Sequence, residues 1–288
     1  MDCPASASSI TYVGIMEIVE LMAPVDKAVS FTSKDMQKIF QGLDQAAEKF
    51  HPMERFEQFY TMRPPDFAVT YVWGMDFRKQ LPFYMESVKK YVESSGFVHD
   101  YTKREFENMT FWVDVLFVDQ NSENIIDKLI ADCNHVYSSS PHHVMFMSGN
   151  ILDRGWCLVE LCYRAFALQT EYTLSDMNLM NLMDGSVHRG KRHTSTVSLR
   201  RNETERFISK NKLPSLHFIS NITGDIEKYG SHESDSLNDM HVFNDKERGL
   251  IKKIITILFD EETFNNIVQA FARRAVSQLE QHKQREFR

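Results

Sequence analysis

Glu160 is the side chain in this sequence with the clearest means of doing chemistry. It closes the stretch His142-His143-Val144-Met145-Phe146-Met147-Ser148-Gly149-Asn150-Ile151-Leu152-Asp153-Arg154-Gly155-Trp156-Cys157-Leu158-Val159-Glu160, which reads as a short strand, a turn and the opening of a helix. A strand feeding a helix puts the connecting loop at the carboxyl edge of a sheet, where α/β proteins bind ligands. Trp156 lies one helical turn before Glu160, so an aromatic ring and an acid share one side. One ionised acid beside a ring can bind and cleave a cationic molecule. The positive end of the helix dipole favours the ionised form, which suits stabilising charge rather than donating a proton. Leu158, Leu161, Cys162, Ala165 and Phe166 form the stripe expected to dock on the sheet, with Glu160 roughly opposite. The plainer reading is a solvated glutamate paired with Arg164 at i+4.

Other candidates gather at the ends of two further apolar runs. Trp73, Gly74 and Asp76 follow the run from Phe67, and Trp73, like Trp156, stands at a loop junction where packing and ligand contact are both open. Trp112 sits in mid-run and reads as core. Asp114 falls inside the run Phe111–Val118, where an ionised acid is costly unless it is paired or hydrogen-bonded. It either caps a neighbouring loop or orients a ligand. Asp119-Gln120-Asn121-Ser122 comes next at the same edge, either as turn and helix cap or as donors and acceptors for ribose and phosphate. Ser148-Gly149-Asn150 completes that edge with small polar groups. His142 and His143 read as strand-edge residues rather than ligands. No carboxylate or cysteine stands at metal spacing from them. There is no Gly-x-Ser-x-Gly elbow, no Gly-x-Gly-x-x-Gly and no phosphate-cradling loop.

The elements that must position these residues can be read from periodicity. Met36, Ile39, Phe40, Leu43, Ala46, Ala47 and Phe50 recur at helical spacing, so Ser33 to Phe50 is expected as a helix capped by Thr32 or Ser33. Tyr12 to Met22 is apolar and ambiguous. Arg63-Pro64-Pro65-Asp66 is a stop signal that separates an N-terminal, mainly helical segment (1–62) from the remainder of the chain. Strands are expected at Phe67–Gly74, Phe111–Val118 and Val144–Met147. Helices are expected at Leu81–Ser95, Glu123–Tyr137 and Trp156–Leu168. Three alternations of strand and helix predict an α/β domain (63–280) with a parallel sheet covered by helices on both faces. Residues 170–213 read as a loop insertion; within it, eight Lys or Arg against two Glu between His188 and Lys212 mark an exposed basic segment. Leu216–Ile219 reads as one more strand, Gly224 to Asp239 as loop, and Asp245–Phe259 and Phe264–Leu279 as closing helices before a charged tail (281–288).

The 288 residues carry a net charge of −7, which argues against a nucleic-acid partner. The 42% hydrophobic content is that of an ordinary globular chain able to fill a sizeable core. Cys3, Cys133, Cys157 and Cys162 show no paired ligand spacing, and the last two are too far around one helix to bridge. Neither a secretory signal nor a run long enough to span a bilayer is evident, so the cytosol is the expected compartment.

Three blocks resemble those of fungal heterokaryon-incompatibility (HET) domains. Phe67 to Gly74, ending Tyr71-Val72-Trp73-Gly74, resembles the first, Trp112-Val113-Asp114 with Asp119-Gln120 the second, and Arg154-Gly155-Trp156-Cys157-Leu158-Val159-Glu160 the third. The third, with Ser148 and Asn150 upstream, is also similar to a segment of plant-type Toll/interleukin-receptor (TIR) domains. Thr70 stands where the HET pattern has serine and Phe117 where it usually has cysteine. The resemblance covers about residues 60 to 170. It implies a flavodoxin-like sheet, self-association into a homo-oligomer, and cleavage of NAD at the nicotinamide–ribose bond in a stress, immune or cell-death response. It assigns the catalytic acid to Glu160, and NAD is then substrate, with no bound cofactor. Around that acid, Trp156 or Trp73 stacks on the dinucleotide, Asp119, Gln120 and Ser148 hold ribose or phosphate, Asp114 orients, and Gly74 to Asp76 form the neighbouring loop. Two alternatives come with it: a non-catalytic assembly module, and a nucleotide-binding sensor.

Overall fold

A computed structural model describes residues 9–43, 56–94, 106–118, 125–173, 215–220, 237–242 and 244–286. The elements in chain order are β1 (Ser9–Thr11), α1 (Tyr12–Met22), α2 (Ser33–Leu43), β2 (Tyr60–Thr61), β3 (Phe67–Thr70), α3 (Leu81–Ser94), β4 (Thr110–Trp112), α4 (Asp114–Phe117), α5 (Ile125–Ser139), β5 (His142–Met147), α6 (Gly155–Thr173), β6 (Ser215–Ser220), α7 (Asp245–Leu258) and α8 (Glu261–Glu286). The fold is α/β, with an open, mostly parallel six-stranded sheet in the order β2-β1-β4-β3-β5-β6. β3 runs parallel to β4, pairing Phe67 with Phe111 and Ala68 with Trp112. β1 is antiparallel to both β4 and β2. The N-terminal segment therefore supplies two strands as well as helices, and these make the sheet mixed rather than wholly parallel.

Two compact units divide the chain: Met1–Asp132 with Val144–Ser148 and Ile219–Asn221, and Cys133–His143 with Gly149–Phe218 and Ile222–Arg288. In the first, the apolar strands leave almost nothing exposed, with Phe67, Ala68, Val69, Phe111 and Phe146 all at 2% or less. Phe67 and Phe111 stack across the β3–β4 pair at 5.1 Å, and Tyr84 of α3 stacks on Phe146 of β5 at 4.5 Å. The Tyr84 hydroxyl also donates to the Met147 carbonyl (3.2 Å), which anchors α3 at the end of β5.

Local chemistry decides several boundaries. The ambiguous segment Tyr12–Met22 is helical, capped by Thr11, whose hydroxyl accepts the Gly14 N–H (3.1 Å). Thr32, rather than Ser33, caps α2: its N–H and hydroxyl both donate to Asp35 (2.9 and 2.7 Å), while the Asp35 N–H turns back to the Thr32 hydroxyl (3.4 Å). These bonds hold the Asp35 carboxyl below its ordinary range. Ser33 instead donates its hydroxyl to the Trp73 carbonyl (2.7 Å). α2 is described to Leu43, so the expected continuation to Phe50 lies outside the described residues, as do the basic segment 188–212 and most of the loop from Gly224.

The expected strand Phe111–Val118 is corrected. β4 stops at Trp112, and Asp114 to Phe117 form one helical turn, with Leu116 N–H donating to the Val113 carbonyl and Val118 N–H to the Asp114 carbonyl (both 2.9 Å). β-Prone residues are overridden because the Asp114 carboxylate accepts the Val115 N–H (2.7 Å), as an acid at a helix start does. The strand from Phe67 likewise stops at Thr70 and turns, with the Met75 N–H reaching the Val72 carbonyl (2.7 Å).

Gly14 is required by close approach: a Cβ there would lie 2.6 Å from the Phe59 Cβ and 3.2 Å from its carbonyl oxygen. Gly14→Ala would gain about 1 kcal/mol of helix propensity and lose about 1–3 kcal/mol to overpacking. The expected outcome is net destabilisation, read as a lower urea midpoint at unchanged slope.

Candidate functional site

In the first unit the carboxyl ends of β3, β4 and β5 carry Trp73, Gly74 and Asp76, then Asp114, then Ser148. Asp114 is the organising residue. Its carboxylate is 6% exposed and accepts the Tyr71 hydroxyl (2.7 Å), the Trp73 indole N–H (2.8 Å) and the Val115 N–H (2.7 Å). Burial pushes its pKa above the ordinary aspartate value, against the lowering effect of those three donors. The two aromatic donors come from the turn after β3, so one acid ties that turn to the end of β4. Of the two readings open for Asp114, this geometry is the structural one. Sequence reasoning missed Tyr71; its signal was only that a buried acid requires donors and that a tyrosine stood two residues from Trp73.

Gly74 is exposed at the tip of the turn. Asp76 is almost buried and accepts the N–H groups of Arg78 (3.1 Å) and Lys79 (3.2 Å), with the Lys79 ammonium 3.6 Å away. It therefore caps the turn leading to α3. The same turn is held from the N-terminal segment, through the Thr32–Asp76 bridge and the Phe77 N–H to the Phe31 carbonyl (2.7 Å). Trp112 is core, as its place implies, stacked on Phe117 at 6.0 Å. Ser148 is half-buried. Asp119 and Gln120 lie outside the described residues.

Trp156 and Glu160 belong to the second unit. Here the stripe on α6 is corrected. Every residue from Cys157 to Ala165 is buried, Glu160 at 7% and Arg164 at 0%, whereas Phe166, expected to dock, is 38% exposed. A helix apolar on most sides is an interior helix, and its periodicity no longer reports a solvent face. The Trp156 indole N–H donates to the Glu247 carboxylate of α7. Gly155, just before it, admits α7: a Cβ there would lie 2.7 Å from Ile251 Cδ1 and 2.8 Å from Val242 Cγ1. The Arg-Gly-Trp of the third block thus serves packing within this unit, with Arg154 Nε donating to the Asn150 side chain (3.1 Å).

The Arg164 guanidinium donates to the Ser140 carbonyl (2.9 Å), just before β5. His142 and His143, expected as edge residues, are instead 7% and 0% exposed at the start of β5, with His143 edge-on to Tyr137 at 4.8 Å. Burial, then the Arg164 charge, drives His142 down to about 3 and His143 well below its ordinary value. Burial also pushes the Cys162 thiol up to about 12, so this cysteine is an inert core residue. Among the described residues no group of three or more His, Cys, Asp or Glu side chains could hold a metal, and no helix is long and apolar enough to cross a membrane.

Two outcomes are expected from these buried groups. Asp114→Asn leaves one aromatic donor facing an amide N–H, and a loss of about 2–3 kcal/mol is expected from the urea midpoint, with the Trp73 near-ultraviolet signal altered. For the histidines, the depressed folded pKa means that both are neutral in the native state and charged when unfolded at low pH. For His142 the stability contribution is full above the unfolded value near 6.5 and is lost as pH falls toward about 3, and His143 acts in the same sense. Around pH 5 His142 should contribute a slope of about 1.4 kcal/mol per pH unit, stability rising with pH, with His143 adding in the same direction. Asp114, raised by burial, acts oppositely: its contribution is present below the ordinary aspartate value and is lost as pH rises through its folded value. Proton uptake on unfolding, measured by calorimetry in buffers of different ionisation enthalpy, checks the pair. Uptake near zero at pH 5 would contradict it.

No family model, no curated protein and no solved structure matches this chain, so its site stands on its own geometry.

Proposed function

We propose that this chain is an NAD glycohydrolase of flavodoxin-like fold, acting in a stress, immune or cell-death response. The observation that carries the reading is strand order. Counted among themselves, β3, β4, β5 and β6 lie in the order second, first, third, fourth. A flavodoxin-like sheet begins with the same order and binds ligands outside the carboxyl ends of the strands where the order reverses, which supports the reading. The reversal falls between β3 and β5, followed by Tyr71 to Asp76 and by Ser148 respectively.

Glu160 is the acid assigned to the chemistry. Cleavage breaks the bond between nicotinamide and the ribosyl carbon, and the electron pair leaves with nicotinamide. The ribosyl carbon develops oxocarbenium character, water adds to it, and one proton is released. An ionised Glu160 stabilises that positive charge. Glu160 is almost fully buried on a largely apolar helix, and a polar group held there at a cost supports a role beyond packing. Ser148, Asp119 and Gln120 are assigned to ribose and phosphate, and the ring of Trp156 or of Trp73 to stacking. The proposal includes a cytosolic homo-oligomer with neither membrane nor nucleic-acid partner.

A second reading, a non-catalytic assembly module or nucleotide sensor, is favoured by one specific observation. Asp114, Asp76, Trp73 and Trp156 all make internal hydrogen bonds that account for their polar atoms structurally. Nicotinamide release from NAD by the purified chain, beside Glu160→Gln and over a range of protein concentrations, separates the two. Loss of on the order of a hundredfold in the variant is expected. NAD binding without release would identify a sensor, and neither binding nor release an assembly module.

A further inference from the structure

Among the described residues β6 is the last strand in the sheet order, so one row of its backbone groups faces away from the strands described. In a strand, residues two apart direct their backbone groups to the same side. The Phe218 N–H donates to Gln278 Oε1 (3.1 Å), and Gln278 Nε2 donates to the Leu216 carbonyl (3.5 Å). A single primary amide, offering one acceptor and one donor, thus stands where the peptide of a neighbouring strand would pair. Ala275 and Leu279, buried at 0% and 5%, fix α8 on either side of Gln278.

We propose that Gln278 is a strand-edge guard. Beneath it, β6 carries a latent pairing site that fits β6 of a second copy of this chain. Natural edge strands are protected by charge, proline, bulges or a covering element. Ser215-Leu216-His217-Phe218-Ile219-Ser220 contains no proline, no glycine and no Asp, Glu, Lys or Arg, and its composition is that of a segment prone to pair with itself. Among the described residues, the element that covers these two groups is α8, through Gln278. A second copy is the fitting occupant because the edge is self-complementary. In an antiparallel register centred on residue 217, position 216 of each copy lies opposite position 218 of the other. The Phe218 N–H and Leu216 carbonyl then pair with their counterparts, and these are the two groups that Gln278 now holds. Such an isologous contact closes on itself as a two-fold dimer. This inference does not depend on the enzymatic reading.

Sedimentation velocity of wild type, Gln278→Ala and Gln278→Asn across a wide concentration range tests it, with hydrogen exchange of the Leu216 and Phe218 amides. Asparagine keeps the amide but is one methylene too short to hold both groups. The expected result is a doubling of mass in both variants at concentrations where wild type is unchanged, with the two amides protected in the associated form and exchanging on dilution. Unchanged mass in both variants would overturn the proposal. So would association without concentration-dependent protection of those amides. Loss of the folded far-ultraviolet signal in both would reduce Gln278 to a purely structural residue, and equally overturn it.

Discussion

The constraint on which the first unit depends is the burial of the Asp114 carboxylate. A carboxylate removed from water needs hydrogen-bond donors, and here they are the Tyr71 hydroxyl, the Trp73 indole and the Val115 N–H. Each donor has a consequence. The Val115 bond ends β4 and starts a helical turn inside an otherwise β-prone run. The two aromatic bonds bend the chain after Thr70 and hold that turn against the end of β4. The turn is then gripped from the N-terminal segment by Ser33 on the Trp73 carbonyl and by the Thr32–Asp76 bridge. One acid thereby links elements more than forty residues apart in sequence. The N-terminal segment is part of this scaffold, not an appendage to it.

The second unit has its own electrostatic problem, the buried cation of Arg164. Its guanidinium is bonded to the Ser140 carbonyl, and two histidines come directly after at the start of β5. Desolvation and that positive charge act in the same sense on both imidazoles, keeping them neutral. Glu160 lies on the same interior helix, one turn before Arg164. α6 thus carries a carboxyl and a guanidinium within its buried stretch, and those two side chains prevent it from being plain core.

The three motif blocks look different once their side chains are followed. Trp73 and Asp114 bond to each other, Gly155 makes room for Ile251 and Val242, and Trp156 bonds to Glu247. Much of what reads as a signature for chemistry is a signature for packing and hydrogen bonding within each unit. Glu160, a buried acid on an interior helix, and Ser148, half-buried at the end of β5, are left to bear the weight of the functional proposal.

The sequence by itself determined the existence and type of the longer described elements. Apolar periodicity over ten or more residues located α3, α5, α6, α7 and α8, and continuous β-prone runs located β3 and β5, because burial selects such patterns whatever the neighbours are. It also marked Asp114 as a costly acid, whereas the burial of Glu160 came only with the fold. Tertiary structure decided the rest. Two short strands from the N-terminal segment, Ser9–Thr11 and Tyr60–Thr61, carry too few residues to show a period and exist only because β4 and each other pair with them. The end of β4 was set at Asp114, whose burial is sustained by its neighbour Val115 together with donors that arrive from the turn after β3. Which side of α6 met solvent was not encoded in its stripe, since a helix enclosed on most sides buries its acid and its arginine with its leucines. Local pattern reports what a segment prefers; only packing reports which groups find partners and which face finds water.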